Sequence, residues 1–179
     1  MTFRLSILSL GMLAVFSGPV LAQEAAEPTH VEMFNAAGEN VGMVTIKPGP
    51  EGLLLSINME GLVPGPHGFH VHHTGNCSDH DHFKGAGGHV KTDDGDQHGL
   101  LNPQGPEVGD LPNLIVHQDG SVKAEIYAPD LKMSGDGKDN IMDTDGSAFM
   151  VHEQADDHKT QPIGGAGERI ACGVIKEAE

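Results

Sequence analysis

The sequence contains no tryptophan and a single tyrosine, so six phenylalanines supply nearly all of its aromatic bulk. It has only two cysteines, Cys77 and Cys172, which leaves room for at most one intrachain disulfide. Positive charge is scarce: 10 lysines and arginines face 26 aspartates and glutamates, for a formal net charge of −16. Such a chain is a poor partner for nucleic acid or for an anionic membrane surface. Beyond the N-terminal segment no long apolar run occurs, and no stretch has the 3.6-residue period of an amphipathic helix. No internal repeat is present. Two residue types are abundant instead: 25 glycines and 12 histidines. A glycine-rich, turn-rich, aromatic-poor composition favours an all-β domain with long loops over a helical one.

Residues 1–22 read as a secretory signal peptide. Arg4 precedes an apolar stretch too short for a membrane span, and Val20-Leu21-Ala22 supplies small residues at a cleavage site. Residues 23–28 are expected to be a disordered lead-in, and residues 29–179 the folded domain. An exported chain meets an oxidising compartment, where a disulfide is the default and two buried free thiols the alternative.

Strand signals begin at Thr29, and Val41 to Lys47 is a second β-prone run. Leu53, Leu55, Ile57 and Met59 then alternate with Ser56, Asn58 and Glu60, the period of a half-buried strand. Phe69 to His73, Ser147 to His152 and Arg169 to Ile175 read as further strands. Leu114–His117 and Ser121–Tyr127 read as a hairpin around an Asp119-Gly120 turn. Residues 74–113 carry no periodic signal, so they predict a loop that must be pinned; Cys77 and several histidines within it are candidate pins, and a metal-organised loop is expected. Residues 130–146 and 153–168 are polar Gly/Asp loops. The prediction is an eight-stranded antiparallel sandwich or barrel with two long functional loops.

In Phe69-His70-Val71-His72, strand alternation sends His70 and His72 to one face and Phe69 and Val71 to the other. Two imidazoles side by side on a rigid element make half of a metal site. His152 ends another strand-like segment, and His89 follows Gly87-Gly88, where backbone can pass close to an ion. Four imidazoles without a thiolate suit copper or zinc. His89, His98, Glu107 and Asp110 form a second candidate set, whose mixture of nitrogen and oxygen donors suits zinc. His80 and His82 read as a solvated loop or as an auxiliary metal-capture tract. His73, His117 and His158 read as surface groups.

Five blocks stand in order along the chain: Gly68-Phe69-His70-Val71-His72, Gly87-Gly88-His89, Gly109-Asp110-Leu111-Pro112, Met150-Val151-His152 with Ala155-Asp156-Asp157, and the run Gly164 to Ile175. On these blocks the sequence resembles bacterial, periplasmic-type copper/zinc superoxide dismutases. It implies a Greek-key barrel that converts superoxide to oxygen and hydrogen peroxide. It implies copper on His70, His72, His89 and His152, with His89 bridging to a zinc held also by His98 and Asp110. It further implies Asp156 as the carboxylate that orients ligand histidines, Arg169 as the cation that receives superoxide, and a Cys77–Cys172 disulfide. Glu107 stands where the family has a third zinc-binding histidine, which leaves zinc retention, weaker binding and loss all open. Because superoxide is an anion and the chain is acidic, Arg169, with Lys159, is expected to focus positive potential locally. The expected protein is periplasmic, a monomer or homodimer, and free of the membrane once the leader is removed. The alternative is a copper- or zinc-buffering protein on the same fold.

Overall fold

A computed structural model describes residues 27–79 and 82–176. The leader assigned to residues 1–22, most of the lead-in that follows it, and His80 lie outside these. Nine strands form in place of the expected eight: β1 (Thr29–Asn35), β2 (Asn40–Pro48), β3 (Leu53–Met59), β4 (Gly65–His67), β5 (Phe69–His72), β6 (Leu114–Val116), β7 (Val122–Ala128), β8 (Ser147–His152) and β9 (Arg169–Ile175). Seven make one curled antiparallel sheet in the order β5-β8-β9-β1-β2-β3-β7, and β4 pairs with β6 in a small second sheet. The only helical element among the described residues is one 3-10 turn, Lys84–Ala86. No helix among them is long and apolar enough to cross a membrane.

The extra strand arises at Gly68, where one run of chain changes partners. β4 bonds to β6, but the Gly68 amide donates to the carbonyl of Gln154 at 2.8 Å and its carbonyl accepts from the His152 amide at 2.9 Å. From Phe69 onward the chain pairs with β8. The expected hairpin after β6 is corrected in a related way. Its turn forms, with the His117 amide donating to the Ser121 carbonyl at 2.8 Å. The two strands then diverge, since β6 pairs with β4 while β7 pairs with β3 from Met59↔Val122 to Leu53↔Ala128.

The alternation in β3 is borne out: Leu53, Leu55, Ile57 and Met59 are buried together with Val31 and Met33 of β1 and Val44 and Ile46 of β2. Phe69 and Val71 enter the same core, and the Phe69 ring stacks on Phe149 with centroids 5.5 Å apart. Burying each such ring stabilises the fold by about 1.5–3 kcal/mol. A smaller apolar cluster, Phe83, Ala86, Ala148, Met150 and Cys172, lies under the long loop. The Cys77–Cys172 disulfide closes it, tying the loop to β9 across 95 positions.

Candidate metal centre

All four residues of β5 are buried, although only Phe69 and Val71 face the core. The long loop lines the free edge of β5, where it behaves as a makeshift strand. The Val71 amide donates to the Gly109 carbonyl at 2.9 Å, the Val90 amide to the Val71 carbonyl at 2.8 Å, and the Gly109 amide to the Val90 carbonyl at 2.8 Å. His70 thereby stands opposite Asp110, and His72 opposite His89. Gly109 is required here because a Cβ would run into the Val71 carbonyl oxygen.

One ligand atom from each of His70, His72, His89 and His152 lies within 4.8 Å of those of the others, and all four residues are buried. Each ring has one nitrogen committed to an acceptor. His70 Nε2 donates to Asp156 Oδ2 at 2.9 Å, His72 Nδ1 to the Gly87 carbonyl at 2.9 Å, His152 Nδ1 to the Gly167 carbonyl at 3.2 Å, and His89 Nδ1 to Asp110 Oδ1 at 2.8 Å. The other nitrogens, His70 Nδ1, His72 Nε2, His89 Nε2 and His152 Nε2, are buried without a hydrogen-bond partner. Buried polar atoms are ordinarily satisfied, and four convergent lone pairs are satisfied together by one cation. The donor set therefore fits a copper or zinc ion.

Burial holds three of these imidazoles in the neutral form that a metal needs. It lowers the His70 pKa to about 4 despite the nearby Asp156 carboxylate. It lowers His152 to about 3, and the adjacent His70 ring further disfavours placing charge on both. His72 also falls well below its ordinary value through burial, His89 and Arg169.

The second group lies on the other side of His89. His70, His89, His98 and Asp110 offer atoms within 4.8 Å of one another. His89 Nδ1 and His98 Nδ1 both lie 2.8 Å from Asp110 Oδ1, and Glu107 Oε2 lies 3.0 Å from His89 Nδ1. Here the acids prevail. Burial opposes charge on His98, but the Asp110 and Asp156 carboxylates on its two ring nitrogens push its pKa up to about 10. His89 is likewise raised, burial being outweighed by Asp110 and Glu107.

Asp156 joins the two groups, accepting from His70 Nε2 through Oδ2 and from His98 Nε2 through Oδ1 at 3.0 Å. Arg169, half-buried at the start of β9, donates from Nη1 to the Phe83 carbonyl and from Nη2 to the Gly87 carbonyl, both at 2.6 Å. The Gly87 carbonyl also accepts from His72, so one backbone oxygen joins the guanidinium to a metal-facing ring. Lys159 is exposed in the segment that carries Asp156.

Two residues at the site carry no signal in the sequence, and the expectation for a third is corrected. His67 is buried, its ring bridging the carbonyls of His152 and Val63 at 2.7 Å each. A lone histidine outside the alternating pair gives no periodic signal of this. Asn113 clasps the Asp156 main chain, donating to its carbonyl at 2.8 Å and accepting from its amide at 2.9 Å. His158, expected at the surface, is only partly exposed: its amide bonds to Asp156 Oδ1 at 2.6 Å and its φ is +60°. His82 contributes to neither metal-facing group; its Nδ1 lies 3.3 Å from Glu168 Oε2. His73 and His117 are exposed, as expected.

The profile of the family described as copper/zinc superoxide dismutase matches residues 40–175. A superoxide dismutase [Cu-Zn] of Caulobacter vibrioides is 50% identical over 140 residues, which cover 78% of this chain and 80% of that protein. The crystal structure of a superoxide-dismutase-like protein from Bacillus subtilis superposes with a TM-score of 0.77 at 44% identity, covering 82% of this chain and 97% of the other. The Cu/Zn superoxide dismutase of Brucella abortus gives a TM-score of 0.68 at 38% identity, with coverages of 83% and 99%.

Proposed function

We propose, on the premise that this chain belongs to the copper/zinc superoxide dismutase family, that it is an exported, periplasmic superoxide dismutase. In this reading His70, His72, His89 and His152 hold copper, while His89, His98 and Asp110 hold zinc. The observation that carries it is the convergence of four buried imidazole nitrogens that lack any other partner. Two superoxide anions and two protons become one oxygen and one hydrogen peroxide. Copper bound there supplies the one-electron redox cycling that zinc lacks.

The chain's own residues supply the rest. Arg169 offers a guanidinium that stays charged at working pH, and its orientation is fixed by the carbonyls of Phe83 and Gly87. It binds superoxide and directs the anion toward the imidazole cluster. His89 presents Nε2 to that cluster while Nδ1 rests against Asp110 and Glu107. Its Nε2 is therefore the atom that carries a proton to the peroxide product. Asp156 keeps His70 and His98 oriented from behind, as carboxylates commonly do for metal-binding imidazoles.

Superoxide consumption per bound copper, measured after metal loading, tests the reading. Arg169→Ala should retain copper and lose about ten- to a hundredfold in rate, the scale of one charge-assisted contact of about 1.5–3 kcal/mol. An unchanged rate per copper in the variant would overturn the role of Arg169. A negligible rate in the loaded wild-type protein would favour metal buffering instead.

A further inference from the structure

Two metal-facing groups share one wall, His70 and His89, but differ in donor chemistry. The first offers four imidazole nitrogens and no oxygen. Apart from the shared His70 ring, whose unpartnered Nδ1 is already counted in the first group, the second offers two ring nitrogens, His89 Nδ1 and His98 Nδ1, beside the Asp110 and Glu107 carboxylates. We propose that Glu107 is the specificity-determining residue of the second site, supplying its fourth donor and biasing it toward zinc and against copper. The inference rests on the reading that the four-imidazole site takes copper.

The backbone aims Glu107 at the same point as Asp110. The Glu107 amide donates to Asp110 Oδ2, and the Asp110 amide donates to the Glu107 carbonyl, both at 3.0 Å. Gly99 also donates to Asp110 Oδ2 at 2.7 Å. That oxygen is saturated by backbone, which leaves Oδ1 for the two rings. Glu107 is divided in the same way. Its Oε2 faces His89 Nδ1 at 3.0 Å, while its Oε1 turns outward to Lys91 Nζ at 3.9 Å. Each carboxylate thus presents one inward oxygen, which suits a four-coordinate ion with two nitrogen and two oxygen donors. Lys91 offsets the second negative charge.

Carboxylate oxygen is a harder donor than imidazole nitrogen. Zinc accepts both in a tetrahedron, whereas copper gains most from nitrogen-rich sets, and reduced copper disfavours hard oxygen. Two adjacent pockets that share His89 would otherwise both attract copper. Glu107 removes that degeneracy by making the second pocket oxygen-rich.

Metal-stripped full-length protein is offered copper(II) alone, and bound metal is counted by elemental analysis. Wild type should take one copper tightly and a second weakly. Glu107→His should take the second at least about tenfold more tightly, the scale on which substitutions around a site move metal affinity. Equal affinity of wild type and variant for the second copper overturns the proposal. Cobalt(II), loaded with copper already in place, gives a second readout that does not depend on the histidine variant folding. Its visible ligand-field bands should shift in Glu107→Gln, and unshifted bands overturn Glu107 as a ligand. Failure of the underlying reading looks different, because the first, tight copper would then be missing from wild type as well.

Discussion

At the scale of single residues, the site is decided by which ring nitrogen each histidine commits to the protein. Gly87, Gly167 and Asp156 take one nitrogen each from His72, His152 and His70, so the tautomers are set and the remaining lone pairs converge. The same rule separates the two groups by protonation. His70 and His152 are already neutral at physiological pH, with pKa values of about 4 and 3. His98 is held protonated up to about 10 by Asp110 and Asp156, against the opposing effect of burial. A raised pKa means that the proton is bound below that value, so a zinc ion at His98 Nδ1 must expel it. Zinc affinity should therefore rise with pH, by about tenfold per unit for each proton released. Titration calorimetry between about pH 6 and 8, in buffers of different ionisation enthalpy, would detect the released proton. A flat affinity would remove His98 from the ligand set.

At the scale of elements, β5 is a rigid rail against which an irregular loop is laid. The loop's register on that rail sets where His89 and Asp110 stand, and Gly109 is the point of closest approach. Gly109→Ala should push the loop off Val71, at about 1–3 kcal/mol for the overpacking. The zinc group should suffer more than the copper group, because His70, His72 and His152 belong to β5 and β8 rather than to the loop. Zinc lost to a chelator faster than copper is the expected result; equal loss of both would contradict it. The disulfide is the loop's other anchor. It joins Cys77 to β9 three positions beyond Arg169, and the loop it holds down supplies the Phe83 and Gly87 carbonyls that orient the guanidinium. Cys172→Ser should cost up to about 4–5 kcal/mol on the chain-entropy account of a loop this long. It should also lower the rate per copper more than the copper content. Chemical denaturation beside metal analysis would separate the two effects.

At the scale of the whole molecule, a formal charge of −16 opposes an anionic substrate. Screening resolves the conflict. At physiological salt the screening length is about 8 Å, so remote carboxylates are largely silenced while Arg169 acts at contact range. The rate per copper should fall as salt rises from low ionic strength to about 0.3 M, because the attraction near the site is what remains to be screened. A rate that climbed with salt would mean that the overall negative field dominates.

Much of this was legible in the amino-acid order because it is carried by local periodicity. Alternation in Leu53 to Met59 and in Phe69 to His72 specifies strands and their inner faces. It also sets His70 and His72 side by side, whatever the rest of the chain does. The split of one run into β4 and β5 at Gly68, and the parting of β6 from β7 after a well-formed turn, were not legible, since partner choice depends on long-range pairing. The same holds for Asn113 beneath Asp156, His67 behind His152, and the Gly87 carbonyl shared by His72 and Arg169. The sequence by itself determined the donor types and the strands that present them, because side-chain chemistry and period-two alternation are local. Only the tertiary structure decided which nitrogen of each ring faces the ion, because that choice belongs to acceptors contributed by distant segments of chain.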